Sequence, residues 1–174
     1  QRITSDAWDR AKQVTYLSKR AVAEAVLLQD MAAYDFDLLV LAGFMRVLSP
    51  YFLDRVNTVP DRPRIMNIHP ALLPAFPGVD GYGDTFRYGC KVAGCTVHFV
   101  DYGEDTGPII GQRAFDILPR DTLEAVREKG LRLEWELYCE CIALFAQNRL
   151  RIAYRDRRSK DGRPSRRKVV EIST

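Results

Sequence analysis

Apolar and polar residues along this chain follow two alternating patterns. Residues 37–42 form a continuous apolar run that ends at Gly43, as in a strand buried on both faces of a sheet. Residues 64–68 form a second short buried run, whose end we expect to deliver Asn67 and His69 to a loop. Residues 95–100 alternate as a strand does, and residues 108–117 form a further strand candidate. The pattern therefore predicts four strands.

Helical patterns lie between these strand candidates. Ser18 is a candidate N-cap for a helix over residues 19–33, and Ser49 followed by Pro50 is typical of a helix start. A short helix is predicted over residues 84–89. Residues 121–124 form a capping box that opens a helix extending to about residue 147. Strands alternating with helices predict a three-layer, Rossmann-like α/β fold with a mostly parallel sheet.

The last part of the chain differs in charge from the rest. Residues 150–154 and 168–172 predict a hairpin that turns at Asp161-Gly162. Residues 149–174 hold ten Lys/Arg against three Asp/Glu, although the whole chain has a formal net charge of only +3. No aromatic-interleaved or other nucleic-acid motif accompanies this charge, so we expect a solvated surface hairpin rather than a nucleic-acid site.

Length and composition restrict the class of protein. The 174 residues fit one domain, and 47% of them are hydrophobic, which is enough for a core. No apolar run approaches the ~18 residues of a membrane span, and no secretory signal opens the chain. Cysteines without a CxxC pair or a nearby histidine cluster indicate reduced thiols in a cytoplasmic protein and no zinc site. These cysteines are Cys90, Cys95, Cys139 and Cys141.

The candidate chemistry lies at Asn67, His69 and Asp105. A carboxamide N–H can stabilise the negative charge that an acyl carbonyl oxygen gains when an amine attacks it. A histidine can accept the proton of the amine and return it to the leaving nitrogen. A neighbouring carboxylate favours the imidazolium form and orients the ring. Gly103 and Gly107 flank Asp105 and suggest a backbone shaped for close approach. These residues predict acyl transfer to an amine without a serine or cysteine nucleophile and without a metal.

Four segments resemble the folate-dependent formyltransferases, and within them the phosphoribosylglycinamide formyltransferases. The segments are LVLAGFMRVLSP at residues 39–50, NIHPALLPAFPG at 67–78, GCTVHFV at 94–100 and DTGPII at 105–110. The second and fourth are the most specific. The resemblance implies transfer of a formyl group from 10-formyltetrahydrofolate to the amine of glycinamide ribonucleotide, in purine synthesis.

The resemblance also implies roles for individual residues. Asn67 would hold the formyl oxygen, His69 would transfer protons, and Asp105 would support His69 and position a relay water. The folate would contact Asn67 and four residues after the first strand, namely Met45, Arg46, Val47 and Leu48. Lys19 stands where relatives have a cofactor-binding Arg, and Glu134 matches a substrate-binding Glu. The Leu73-Pro74 bond matches a bond that is often cis in the family.

Some positions depart from the family pattern. No Gly-x-Gly-Ser-Asn phosphate loop occurs, and Gln1 rather than Met begins the chain. We therefore expect residues 1–174 to be a single catalytic domain that lacks its N-terminal phosphate-binding βα portion. Asp80 lies where relatives have a His-containing segment, which changes the charge expected beside the site.

Three alternatives remain open from the sequence. A formyltetrahydrofolate deformylase would use water as acceptor, but that family has Asn-Ile-His-His where this chain has Pro70. A methionyl-tRNA formyltransferase would suit the basic end, but it has a different segment after Pro74 and needs an RNA-binding domain. A non-catalytic folate-binding module is the third. We expect small-molecule partners and neither a membrane nor a nucleic acid, and a homodimer is left open.

Overall fold

A computed structural model describes residues 10–158 and 164–173, and side chains for residues 19–156 and 164–173. Four helices and six strands occur in this part of the chain. They are α1 (Arg10–Met31), β1 (Leu39–Leu41), α2 (Pro50–Val56), β2 (Ile65–His69), α3 (Gly81–Tyr88), β3 (Val92–Phe99), β4 (Ile109–Asp116), α4 (Leu123–Ala146), β5 (Leu150–Arg158) and β6 (Pro164–Ile172). The predicted α/β class with a terminal hairpin is confirmed.

The central sheet is mixed rather than mostly parallel over the residues described. Its strand order is β1-β2-β3-β4. Only β1 and β2 pair in parallel, whereas β3 is antiparallel to both β2 and β4. The β3–β4 connection is the short segment 100–108, which suits an antiparallel pair because a parallel crossover needs a dozen or more residues. The expectation of a mostly parallel sheet is corrected accordingly.

Helices cover both faces of the sheet. Neighbouring residues of β2 point to opposite faces, so Met66 joins the cluster under α4 and Ile65 joins the cluster under α2. Leu137 and Cys141 of α4 are four residues apart, on one face of the helix, and both are buried. The Tyr138 hydroxyl lies 2.8 Å from the carbonyl oxygens of both Leu41 and Met66, which ties α4 to β1 and β2. The three-layer prediction therefore holds.

The helix starts agree with the sequence at α2 and differ elsewhere. The Ser49 hydroxyl accepts a hydrogen bond from the Phe52 amide, and Pro50 follows it. The cap of α4 is Thr122, whose hydroxyl accepts from the Ala125 amide, while Asp121 instead accepts from the Leu118 amide. Helix α1 already includes Ser18, so the predicted cap at that residue is wrong.

The terminal hairpin is longer than predicted and packs against the domain. Leu150, Ile152 and Val170 lie against the core cluster under α4. The Tyr154 hydroxyl donates to an Asp61 carboxylate oxygen at 2.5 Å, and Lys168 Nζ lies 2.9 Å from the same atom. The predicted turn at residues 161–162 lies outside the described residues.

Candidate active site

A cavity of about 440 Å³ opens where β1 and β2 end. Ligands of α/β sheets collect beyond the carboxyl ends of such strands. The segment after β1 and the end of β2 both line this cavity, together with the segment from Val100 to Asp105 and the α4 side chains Arg127, Leu131 and Glu134. The three catalytic candidates, Asn67, His69 and Asp105, all line it.

Asn67 and His69 lie within β2 rather than in the loop that the sequence predicted. They are two positions apart in a strand, so their side chains leave the same face of the sheet. His98 of β3 stands directly opposite Asn67, and Asn67 Nδ2 is 3.4 Å from His98 Nε2. The strand therefore holds both candidates on a rigid element.

His98 is a site residue that the sequence reasoning missed. Its Nδ1 lies 3.0 Å from the Phe99 carbonyl oxygen, which can only accept, so Nδ1 carries the proton. Burial lowers the pKa of His98, and this keeps the ring neutral with an unprotonated Nε2. That nitrogen can accept one Asn67 amide hydrogen, and the other amide hydrogen remains for a ligand. The sequence signal was weak, because only the strand register places the two residues opposite each other.

His69 is held through both ring nitrogens and is only 3% exposed. Its Nε2 lies 2.8 Å from the Phe76 carbonyl oxygen, and its Nδ1 lies 3.3 Å from Asp105 Oδ2. Both partners are acceptors, so a ring that carries a proton on each nitrogen satisfies both contacts. For His69 to exchange a proton with a reactant, one of these contacts must be exchanged for the reactant.

The Asp105 carboxylate lies between the two histidines. Besides the contact with His69, its Oδ1 lies 3.7 Å from His98 Nε2, and its Oδ2 accepts a hydrogen bond from the Gly78 amide at 2.9 Å. The residue adopts a positive φ of 53°. A Cβ at Gly107 would lie 1.7 Å from the Phe99 carbonyl oxygen, so the close backbone approach predicted there is present.

This arrangement places a carboxamide donor, two imidazoles and a carboxylate around one cavity, and such groups can support acyl transfer. The family model described as "Formyl transferase" matches residues 2–142. The chain belongs to the formyl transferase family.

Named relatives of the chain are formyltransferases. The chain is 44% identical over 124 residues to a phosphoribosylglycinamide formyltransferase of Bacillus subtilis, covering 71% of this chain and 60% of the relative. It is 47% identical over 115 residues to one of Mycobacterium tuberculosis, covering 66% of this chain and 51% of the relative. The chain thus spans about half to three fifths of the length of these relatives.

A solved structure shows the same fold. The crystal structure of glycinamide ribonucleotide transformylase 1 from Symbiobacterium toebii superposes with a TM-score of 0.70 at 44% sequence identity. The match covers 86% of this chain and 62% of that chain. The Leu73-Pro74 bond is cis, as the resemblance implies.

The segment after β1 carries four of the residues predicted to contact a folate. Met45, Arg46 and Val47 are exposed at the cavity, whereas Leu48 is buried. Helix α1 packs beside this segment and forms hydrogen bonds with it. The Arg20 guanidinium donates to the Val47 carbonyl oxygen.

A buried carboxylate fixes the end of the same segment. Glu24 of α1 is 7% exposed, and its carboxylate accepts both the Ser49 amide, at 2.9 Å, and the Ser49 hydroxyl. Glu24 was not predicted, because an acidic residue on a helix is far more often exposed. Its contacts fix the position of Ser49, at the end of the segment that carries these candidates.

Of the predicted ligand contacts Lys19 and Glu134, only Glu134 lines the cavity. Lys19 is exposed on α1 and is not among the cavity-lining residues, whereas its neighbour Arg20 contacts the segment after β1. Glu134 lines the cavity, and its Oε1 accepts a hydrogen bond from the Tyr82 hydroxyl at 2.8 Å. Burial raises the pKa of Glu134, and the Tyr82 hydrogen bond opposes this shift.

Asp80, where the sequence departs from the family, is neutralised by two arginines. Arg87 lies 2.8 Å and Arg127 3.1 Å from its carboxylate oxygens. The hydrogen bonds from Arg87 and then Arg127 lower the pKa of Asp80. The added negative charge is therefore locally compensated, and Arg127 reaches the cavity as a residue that the sequence reasoning missed.

No helix in the described part of the chain is both long and apolar enough to cross a membrane.

Proposed function

We propose that this protein transfers the formyl group of 10-formyltetrahydrofolate to the primary amine of glycinamide ribonucleotide, a reaction of purine synthesis. The observation that carries the proposal is the cluster of Asn67, His69 and Asp105 around one cavity, in a chain whose named relatives are phosphoribosylglycinamide formyltransferases at 44% and 47% identity.

The proposed chemistry begins at the carbonyl group. The amine attacks the formyl carbon, the C–N bond forms, and the former carbonyl oxygen becomes negatively charged. The Asn67 amide hydrogen that His98 does not engage donates to this oxygen, because the strand already holds the amide in place. A donor of this kind contributes roughly 10²–10³-fold to the rate.

Proton transfer completes the proposed reaction. The attacking nitrogen loses a proton, and the folate nitrogen gains one as its bond to the formyl carbon breaks. His69 is the proposed carrier, since it lies 3.3 Å from a carboxylate that stabilises its charged form. The formyl group passes directly from the folate nitrogen to the amine, so no covalent bond to the enzyme is formed.

The proposed binding sites divide the cavity between two small molecules. The folate contacts the rim formed by Met45, Arg46, Val47 and Leu48, and the acceptor lies towards Glu134. A cytoplasmic location is part of the proposal, since all four cysteines are free, as expected in a reducing compartment.

A product assay tests the proposal against its alternatives. The protein is incubated with 10-formyltetrahydrofolate, with and without glycinamide ribonucleotide, and both the formylated amine and formate are quantified. We expect formylated product that depends on the amine, with little formate. Formate release at a comparable rate without the amine would establish the deformylase alternative. Folate binding with neither product would establish the non-catalytic one.

A further inference from the structure

Tyr82 and Gly130 form a complementary pair between α3 and α4. Tyr82 is 6% exposed, and Gly130 is buried in the interior of α4. A Cβ at position 130 would lie 2.1 Å from Tyr82 Cζ and 2.3 Å from its hydroxyl oxygen. Glycine is an unfavourable residue within a helix. The missing side chain of Gly130 leaves a notch in α4, and this notch makes room for the phenol ring of Tyr82.

The notch directs the Tyr82 hydroxyl at Glu134. Residues 130 and 134 are four apart on α4 and therefore share a helix face. The ring crosses the notch, and its hydroxyl donates to Glu134 Oε1 at 2.8 Å. Burial raises the pKa of the phenol, so the hydroxyl keeps its proton and remains a donor.

Glu134 needs such a donor if it is to act as an anion. The carboxylate lies in the cavity, where burial favours its protonated form and raises its pKa. The Tyr82 hydrogen bond lowers the pKa and occupies Oε1. The other carboxylate oxygen then remains for a cationic or hydrogen-bond-donating ligand.

We propose that Tyr82, seated against Gly130, is a positioning residue that keeps Glu134 ionised and aimed at the amino end of the acceptor. This inference rests on the proposed function, because it concerns the acceptor half of the same cavity. It assigns acceptor recognition to a three-residue unit of Tyr82, Gly130 and Glu134, while folate binding lies with the segment after β1.

The substitution Tyr82→Phe separates positioning from packing. Phenylalanine keeps the ring in the notch and its contact with Phe115, whose ring centroid is 6.2 Å away, and removes only the hydroxyl. We expect the KM for glycinamide ribonucleotide to rise about tenfold, the effect typical of losing one hydrogen bond to a charged group. The KM for 10-formyltetrahydrofolate should stay unchanged.

A pH profile adds a reading that loss of packing would not produce. Without the hydroxyl, only the charge of His69 opposes the effect of burial on the Glu134 pKa. Glu134 then ionises at higher pH, so the acidic limb of kcat/KM for the acceptor should move to higher pH. Tyr88→Phe is the matched control, since Tyr88 is 80% exposed and does not line the cavity, and it should leave both KM values and the limb unchanged.

A double-mutant cycle decides whether Tyr82 acts through Glu134. On a Glu134→Gln background, Tyr82→Phe should add little to the acceptor KM. Unchanged acceptor KM and pH limb in Tyr82→Phe, or an equal rise in both KM values, would overturn the positioning role. Absence of amine-dependent product in the unmodified protein would instead refute the proposed function itself, so the two failures are distinguishable.

Discussion

Single residues differ in how well the sequence reveals them. Asn67, His69 and Asp105 were predicted to form one site because their side-chain chemistry suits acyl transfer and their flanking motifs are specific, and all three line the same cavity. His98 and Tyr82 were not, because each becomes meaningful only through a partner that the fold supplies. His98 needs the β2–β3 register, and Tyr82 needs the notch at Gly130.

The buried neutral His98 predicts a pH dependence of stability. The unfolded chain binds a proton near the ordinary pKa of about 6.5, whereas burial lowers the pKa of His98 in the folded state. Above about pH 6.5 His98 is neutral in both states and does not reduce the free energy of unfolding. As the pH falls towards the lower, folded-state pKa, the unfolded chain binds the proton more readily, and the free energy of unfolding decreases. Urea unfolding between pH 5 and 7 should show a smaller pH dependence for His98→Gln than for the unmodified protein. Equal slopes would contradict a neutral His98.

Asp105→Asn tests the carboxylate beside His69. An asparagine oxygen can still accept the Gly78 amide, but the negative charge is lost. We expect kcat to fall by roughly 10²-fold, the low end of the contribution of general acid–base catalysis, with the KM for folate little changed. Glu104→Gln removes the same charge from an exposed neighbour and serves as the control. An equal loss in both variants would indicate that only net charge matters.

At the level of elements, helix and strand positions followed from local patterns, but strand direction did not. The Ser49-Pro50 start of α2 is a local signal, and the structure confirms it. The pairing of β3 with β2 is antiparallel although a helix lies between them, and nothing local to either strand encodes that choice. The strand directions were predicted from the alternation of strands and helices along the chain. That alternation does not distinguish a mixed sheet from a parallel one.

The contact between α3 and α4 predicts an unusual sign for a glycine substitution. Gly→Ala in a helix interior normally stabilises a protein by about 0.5–1 kcal/mol. Gly130→Ala should instead lower the melting temperature, because the new methyl group would meet the Tyr82 ring. On a Tyr82→Leu background, which removes the ring, the same substitution should become neutral or stabilising. A stabilising Gly130→Ala in the unmodified protein would contradict the notch.

At the level of the whole molecule, the terminal hairpin is a packed part of the domain rather than a free basic tail. The sequence revealed its strands and its charge, but not that Asp61 holds both Tyr154 and Lys168. These contacts join positions that are distant in the chain, so no local pattern could show them. The inner face of the hairpin covers the end of the core under α4.

Shortening a side chain on the inner face of the hairpin should therefore destabilise the domain. Ile152→Ala removes a partly buried side chain that packs against the core cluster. We expect the free energy of unfolding to fall by about 1–2 kcal/mol, less than for a fully buried site. Val169→Ala, on the opposite face of the same hairpin, should have a smaller effect. Comparable losses would show that the hairpin does not depend on this packing.

In the reaction we propose, the strand-held Asn67 amide stabilises the charge on the formyl oxygen during transfer to an amine. Single-turnover transfer of a ¹³C-labelled formyl group from 10-formyltetrahydrofolate to glycinamide ribonucleotide measures this step directly. With Asn67→Ala, we predict a rate about 10²–10³-fold below that of the unmodified protein, and a much smaller loss of folate affinity. A variant that transfers the label at the unmodified rate would exclude this role of Asn67.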